Sequence, residues 1–141
     1  MSLKLKGNGS INHTVNTVED LANISNPEVN DICIVTDENR GGTFVYDSTQ
    51  SATNNGGTNF NGWCRQYDGA VNVKWFGAKG DGVTDDTAVI QSAIDYVASN
   101  GLGNLNIGAG VFLITSTLTD YNTVASTSFG FPVTIILHHL F

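Results

Sequence analysis

The stretch "WFGAKGDGVTDDTAVIQSAID", residues 75–95, places three glycines (Gly77, Gly80, Gly82) and three aspartates (Asp81, Asp85, Asp86) ahead of a strongly patterned segment. A glycine-rich loop running into a helix N-terminus is a common way of holding a phosphate. The residue order here argues against that use. A P-loop needs its lysine after the last glycine, and Lys79 precedes Gly80. The dinucleotide fingerprint fails as well, because Gly80-x-Gly82 reaches Asp85 where the third glycine belongs. Two carboxylates at the helix start would also repel the phosphate. A cation site fares no better, since Asp81, Asp85 and Asp86 lack the alternating ligands and distal glutamate of a calcium loop. Nor do adjacent carboxylates suit glycoside hydrolysis, which sets its acid and base about 5–9.5 Å apart across a substrate. The remaining reading is architectural: the glycines make a turn and the aspartates cap a helix.

That helix is the best patterned in the chain. Thr84 or Asp85 is the expected N-cap, and the acidic pair complements the positive end of the helix dipole. Ile90, Ala93, Ile94, Val97 and Ala98 recur at the spacing of one buried face. Gly101 stands where a left-handed residue ends such a helix. Beyond it, "LNIGAGVFLIT" reads as two short strands, Leu105–Ile107 and Val111–Thr115, broken by Gly108-Ala109-Gly110.

Upstream of the quoted stretch the pattern changes. Residues 1–16 read as a polar, flexible arm, with two lysines and no apolar run of the kind a signal peptide needs. "NTVEDLANIS" reads as a short helix capped by Thr17, with Val18, Leu21 and Ile24 on one face and Pro27 stopping it. "DICIVTD", "TFVYD" and "WCRQYDG" read as three strands of a small antiparallel sheet. The polar excursion "STQSATNNGGTNFNG" between the last two is long enough to be either functional or poorly ordered. "AVNVKWFG" reads as a further extended piece.

Composition limits the function classes. Charged residues make up 13% of the 141-residue chain, and the net charge is −7, so nucleic acid and anionic lipid are not expected partners. Lys79 is the last basic residue, and residues 121–141 carry no Asp, Glu, Lys or Arg. Cys33 and Cys64 match no zinc or redox spacing and read as two reduced thiols, with a single bridge between strands as the alternative. His138 and His139 lie in an apolar terminal run and read as inert. No metal, cofactor or catalytic residue is assigned.

Taken together with "LNIGAGVFLIT", the quoted stretch closely resembles the start of the pectate-lyase-like right-handed β-helix superfamily, with Phe112 where an aromatic is usual. In that family a helix plugs the open end of the β-helix. The preceding "TVEDLANISNPEVNDICIVTD", "GGTFVYDSTQSATNNGGT" and "GWCRQYDGAVNVKWFGAKGDG" are similar to N-terminal modules of bacteriophage and prophage tailspikes. The resemblance implies an α+β, mostly β chain in four parts. These are an arm (1–16), a virion-attachment-like α+β module (17–70), a β-helix start with its capping helix (71–118) and an atypical apolar tail (119–141). It implies a homotrimer on the phage virion, made in the bacterial cytoplasm and joined to a tail or baseplate protein. Host polysaccharide would be bound or cut by a β-helix body missing from this chain, which therefore reads as truncated and not itself an enzyme. The alternatives are a remnant of a bacterial polysaccharide lyase or glycoside hydrolase, and a carbohydrate-binding module using Tyr46, Trp63, Tyr67 and Trp75.

Overall fold

The computed structural model describes residues 11–102 and 104–119. His138, His139 and the expected tail beyond Thr119 lie outside the described residues. The chain divides into two units, one up to Tyr67 and one from Asp68 onward.

The first unit is a five-stranded sheet in the order β1-β2-β3-β5-β4. Its strands are β1 (Ile11–Val15), β2 (Ile32–Val35), β3 (Gly42–Tyr46), β4 (Asn59–Phe60) and β5 (Trp63–Gln66). β1 runs parallel to β2, while β2–β3, β3–β5 and β5–β4 are antiparallel. The sheet is thus mixed, and residues 11–15 form its edge strand where a flexible arm is expected from sequence. Polar Asn12, His13 and Thr14 hide this strand from pattern reading. Asn12 Oδ1 accepts the Ile32 N–H (2.9 Å) across the irregularity between Ile11 and His13.

In β2, Cys33 and Val35 are buried while Ile32 and Ile34 are only partly covered, the period-two pattern of a strand with one core face. Cys33 pairs with Phe44 and Phe44 with Arg65, so the three form a row across the sheet. Val18 and Leu21 close the core over Cys33, Val35, Phe44 and Trp63. They come from a 3₁₀ helix, Glu19–Asn23, and the residue just before it. Thr17 Oγ1 accepts the Asp20 N–H as an N-cap does, but only nine residues separate it from Pro27. A segment that short gains little from an α-helical ladder, and the residue before proline is pushed out of the helical region.

The long polar excursion is ordered by its own side chains. Asn55 Oδ1 accepts the N–H groups of Gly57, Thr58 and Asn59 at 2.9–3.0 Å. Asn59 Oδ1 takes the Gly62 N–H, and Asp47 Oδ1 the Thr49 N–H.

The second unit contains β6 (Val71–Asn72), β7 (Asp81–Asp85), α1 (Thr87–Ser99), β8 (Leu105–Asn106) and β9 (Val111–Leu113). β6 pairs with β8 and β7 with β9, both in parallel. Parallel neighbours need a crossover of a dozen or more residues, which α1 supplies. The chain therefore lays down two strands, crosses, and returns beside the same two. Between β6 and β7 the expected extended piece instead turns at Val73–Phe76, a 3₁₀ helix whose Lys74 N–H is met by Asn72 Oδ1.

α1 buries Ile90, Ala93 and Val97, with Ile94 and Ala98 half-buried beside them. Its face packs on the 73–76 turn, β6 and β8, with the Phe76 and Tyr96 rings 5.8 Å apart. At its end Leu102 N–H bonds Val97 O and Gly101 N–H bonds Ala98 O, the double closure of a Schellman motif.

Candidate functional site

The glycine–aspartate junction is built from carboxylates that turn toward backbone amides. Asp86 is fully buried. Its Oδ1 accepts the Lys79 N–H (2.8 Å) and its Oδ2 the Gly80 N–H (3.0 Å). Its own N–H bonds Leu113 O and its carbonyl takes the Ile90 N–H, so one residue ties the loop, β9 and the first helical turn together. It stands at the N-cap position without a side-chain bond to the helix, which revises the expected division of labour. Asp85 does meet a helix N–H, because its Oδ1 accepts both N–H and Oγ1–H of Thr87 (3.0 and 2.6 Å). Its Oδ2 accepts the Thr115 hydroxyl (2.6 Å). Thr84, the other expected cap, belongs to Asp81 instead. Asp81 Oδ1 accepts the Val83 and Thr84 N–H groups and its Oδ2 the Thr84 hydroxyl.

These bonds favour the ionised acids. The amides of Thr84 and Val83 hold Asp81 down to about 2, and the hydroxyls of Thr115 and Thr87 lower Asp85. They also bear on the phosphate question in physical terms. The amides of Lys79, Gly80, Val83 and Thr84, which an anion would need, are already spent on the chain's own carboxylates. The three carboxylates serve separate donors, and no group of three potential metal ligands occurs among the described residues.

The glycines allow close backbone approach. Gly80 has φ +64°, and a Cβ there would lie 2.9 Å from Cζ of the buried Phe112 ring. A Cβ on Gly110 (φ +150°) would lie 2.9 Å from Gly80 O. The Val111 N–H bonds that same Gly80 oxygen at 2.9 Å. Gly80 and the Gly108–Gly110 turn thus pack directly together, with Phe112 as the filling.

Beside the junction lies a shallow polar depression of about 470 Å³, between Asp85, Thr87 and Gln91 on one side and Thr115, Thr117 and Thr119 on the other. Its polar groups are bonded to one another: Thr87 Oγ1 accepts the Thr115 N–H (2.9 Å), and Gln91 bonds both backbone groups of Thr119.

In the first unit, Trp63 is 2% exposed and is wrapped by Tyr46 (centroids 5.2 Å apart) and the edge of His13 (5.8 Å). Tyr46 and Trp63 therefore belong to the core rather than to an open stacking platform; Tyr67 and Trp75 are partly covered. Cys33 and Cys64 are both free thiols, and burial raises both pKa values.

Arg65 is the important residue that motif reading misses. It is 5% exposed, lies 4.6 Å over the Phe44 ring, and donates to the carbonyls of Gly57, Gly41 and Arg40. Burial pulls it down to about 10, still protonated at neutral pH. A signal existed: period two from Trp63 puts Arg65 on the core face.

Residues 70–126 match the family model described as rhamnogalacturonase A/epimerase, pectate lyase-like. Over 43 residues the chain is 54% identical to mannuronan C5-epimerase AlgE5 and 51% identical to alginate lyase 7, both of Azotobacter vinelandii. Each match covers 30% of this chain, and 4% and 5% of those proteins respectively. Among solved structures, the tailspike of Acinetobacter baumannii phage AM24 aligns with a TM-score of 0.61 at 24% identity, over 74% of this chain and 19% of its own. Pantoea stewartii WceF, a glycan biofilm modifying enzyme with a tailspike-like parallel β-helix fold, aligns at 0.62 and 23%, over 72% and 17%. The chain thus spans less than a fifth of the length of each of these relatives. Most of its second unit is similar to the pectate-lyase-like family model. A step further, its fold resembles that of phage tailspikes, the likeness read from its sequence. No helix among the described residues is long and apolar enough to cross a membrane.

Proposed function

We propose that this chain is the N-terminal part of a phage tailspike. Residues 17–70 serve as a virion-attachment module and residues 71–118 begin a right-handed β-helix whose end α1 closes. The observation that carries the reading is the return of the chain to its own strands: β8 lies beside β6 and β9 beside β7, with α1 as the crossover. A coil of this kind cannot bury its faces alone and gains stability from further coils stacked on it. Those coils would carry the contact with host surface polysaccharide and its cleavage. In this reading the chain assembles as a homotrimer, binds a tail or baseplate protein through its first unit, and resides in the virion. No catalytic residue is assigned within it.

A second reading has support of its own. The local identity to an epimerase and a lyase favours a bacterial polysaccharide-modifying enzyme that opens with the same β-helix start. The burial of Trp63 against Tyr46 weighs against the carbohydrate-binding module.

Light scattering of the purified chain tests the leading reading. A trimer is expected, and a monodisperse monomer would contradict the assembly. Incubation with capsular polysaccharide is expected to leave the polymer intact. Reproducible depolymerisation would contradict placing the chemistry on other coils.

A further inference from the structure

We propose that the outer face of α1 is a template that seats the chain leaving β9, with Gln91 as the positioning residue. Three successive attachments run along the helix. The Asp86 N–H bonds Leu113 O at 2.9 Å. Thr87 Oγ1 then accepts the Thr115 N–H at 2.9 Å, while Asp85 Oδ2 holds the Thr115 hydroxyl at 2.6 Å. One turn further on, Gln91 Oε1 accepts the Thr119 N–H at 2.7 Å and its Nε2 donates to Thr119 O at 2.9 Å.

Gln91 therefore meets both backbone groups of one residue, as a neighbouring β-strand would. Only a primary amide offers a donor and an acceptor side by side in this way. Its orientation is fixed by a third bond, from Nε2 to Asp95 Oδ1 at 2.7 Å. Reversing the amide would set its oxygen against two acceptors and its nitrogen against a donor.

The spacing gives the template its effect. From Thr87 to Gln91 the helix rises about 6 Å, whereas four residues of extended chain cover about 13 Å. Segment 115–119, held at both ends, takes up the slack in the bend at Ser116. That bend forms the far wall of the polar depression. The helix thus fixes the position of the chain at Thr119. On the reading of a continuing β-helix, on which this consequence rests, that point sets where the next coil begins.

Amide hydrogen exchange on the 141-residue chain tests the seat itself, whatever the oligomeric state or the sequence that follows. In the unsubstituted protein the Thr119 and Thr115 amides are expected to exchange at least about tenfold slower than an unstructured chain. Gln91→Leu, which removes donor and acceptor, is expected to release Thr119 by about tenfold. The amides of Ala93 and Val97 inside α1 and of Cys33 in the first unit should keep their rates. Two results would overturn the proposal: a Thr119 amide already exchanging freely in the unsubstituted chain, or a uniform loss across α1 in the variant. The light-scattering result bears on the tailspike reading alone, so the two can fail separately.

Discussion

The two units set strand register by different means. In the first, β2, β3 and β5 are four or five residues long, and Cys33, Phe44 and Trp63 distinguish a core face. A slip of one residue would turn Phe44 and Trp63 to the wrong face, so the core side chains help to specify the pairing. In the second, β6 and β8 have two residues each and β9 has three, too few for alternation to discriminate. Here Asp86 clips the loop before β7 and takes the Leu113 carbonyl on its N–H, while Asp85 reaches Thr115 beyond β9. For the β7–β9 pair, bonds made by these two aspartates do what apolar alternation does for the sheet. The acidic motif is a register device.

The largest effect is expected where alternation does the work. Phe44→Ala empties a site that is 0% exposed and contacts Phe60 and Arg65. It should destabilise the first unit by about 3–5 kcal/mol in urea titration. A loss below about 1 kcal/mol would mean that the core row is not what holds the sheet.

Next comes the clip. Asp86→Ala leaves the Lys79 and Gly80 amides without their acceptors, and should cost about 3 kcal/mol, the low end for two bonds to a charged group worth about 1.5–3 each, since both bonds are only part-buried. Asp86→Asn should cost nearly as much, because its NH₂ would face one of two N–H donors. If the amide variant unfolded at the same urea concentration as the parent, the carboxylate would not be setting the register.

The smallest effect is a pH dependence. Asp81 and Asp85 are held below the ordinary carboxylate range of about 4 by the hydroxyls and amides they accept. Their contribution is complete above that range and declines as the pH falls through the folded value, about 2 for Asp81. Protection of the Val83 and Thr84 amides should therefore persist at pH 4 and fade toward pH 2. Fading that is already complete at pH 4 would contradict the depressed value.

Legibility in the sequence follows the same line. The buried face of α1, its glycine stop and the apolar, β-branched run of β2 are local patterns, and each could be read from a short window. What escaped depends on residues far apart in the chain. Arg65 meets the carbonyls of Arg40 and Gly41, the polar β1 finds its partner at Ile32, and Gln91 finds Thr119. The motif itself was half legible. Its residue order ruled out the common phosphate loops and pointed to an architectural role, but helix capping did not reveal that Asp86 turns back toward the glycines.

Amide exchange at Lys79 and Gly80 tests that central claim most directly. If Asp86 occupies these N–H groups as part of the fold, both should be protected to about the level of the α1 interior in the absence of any ligand. Exchange at the rate of an open loop would leave them free to hold an anion, and would contradict the architectural role.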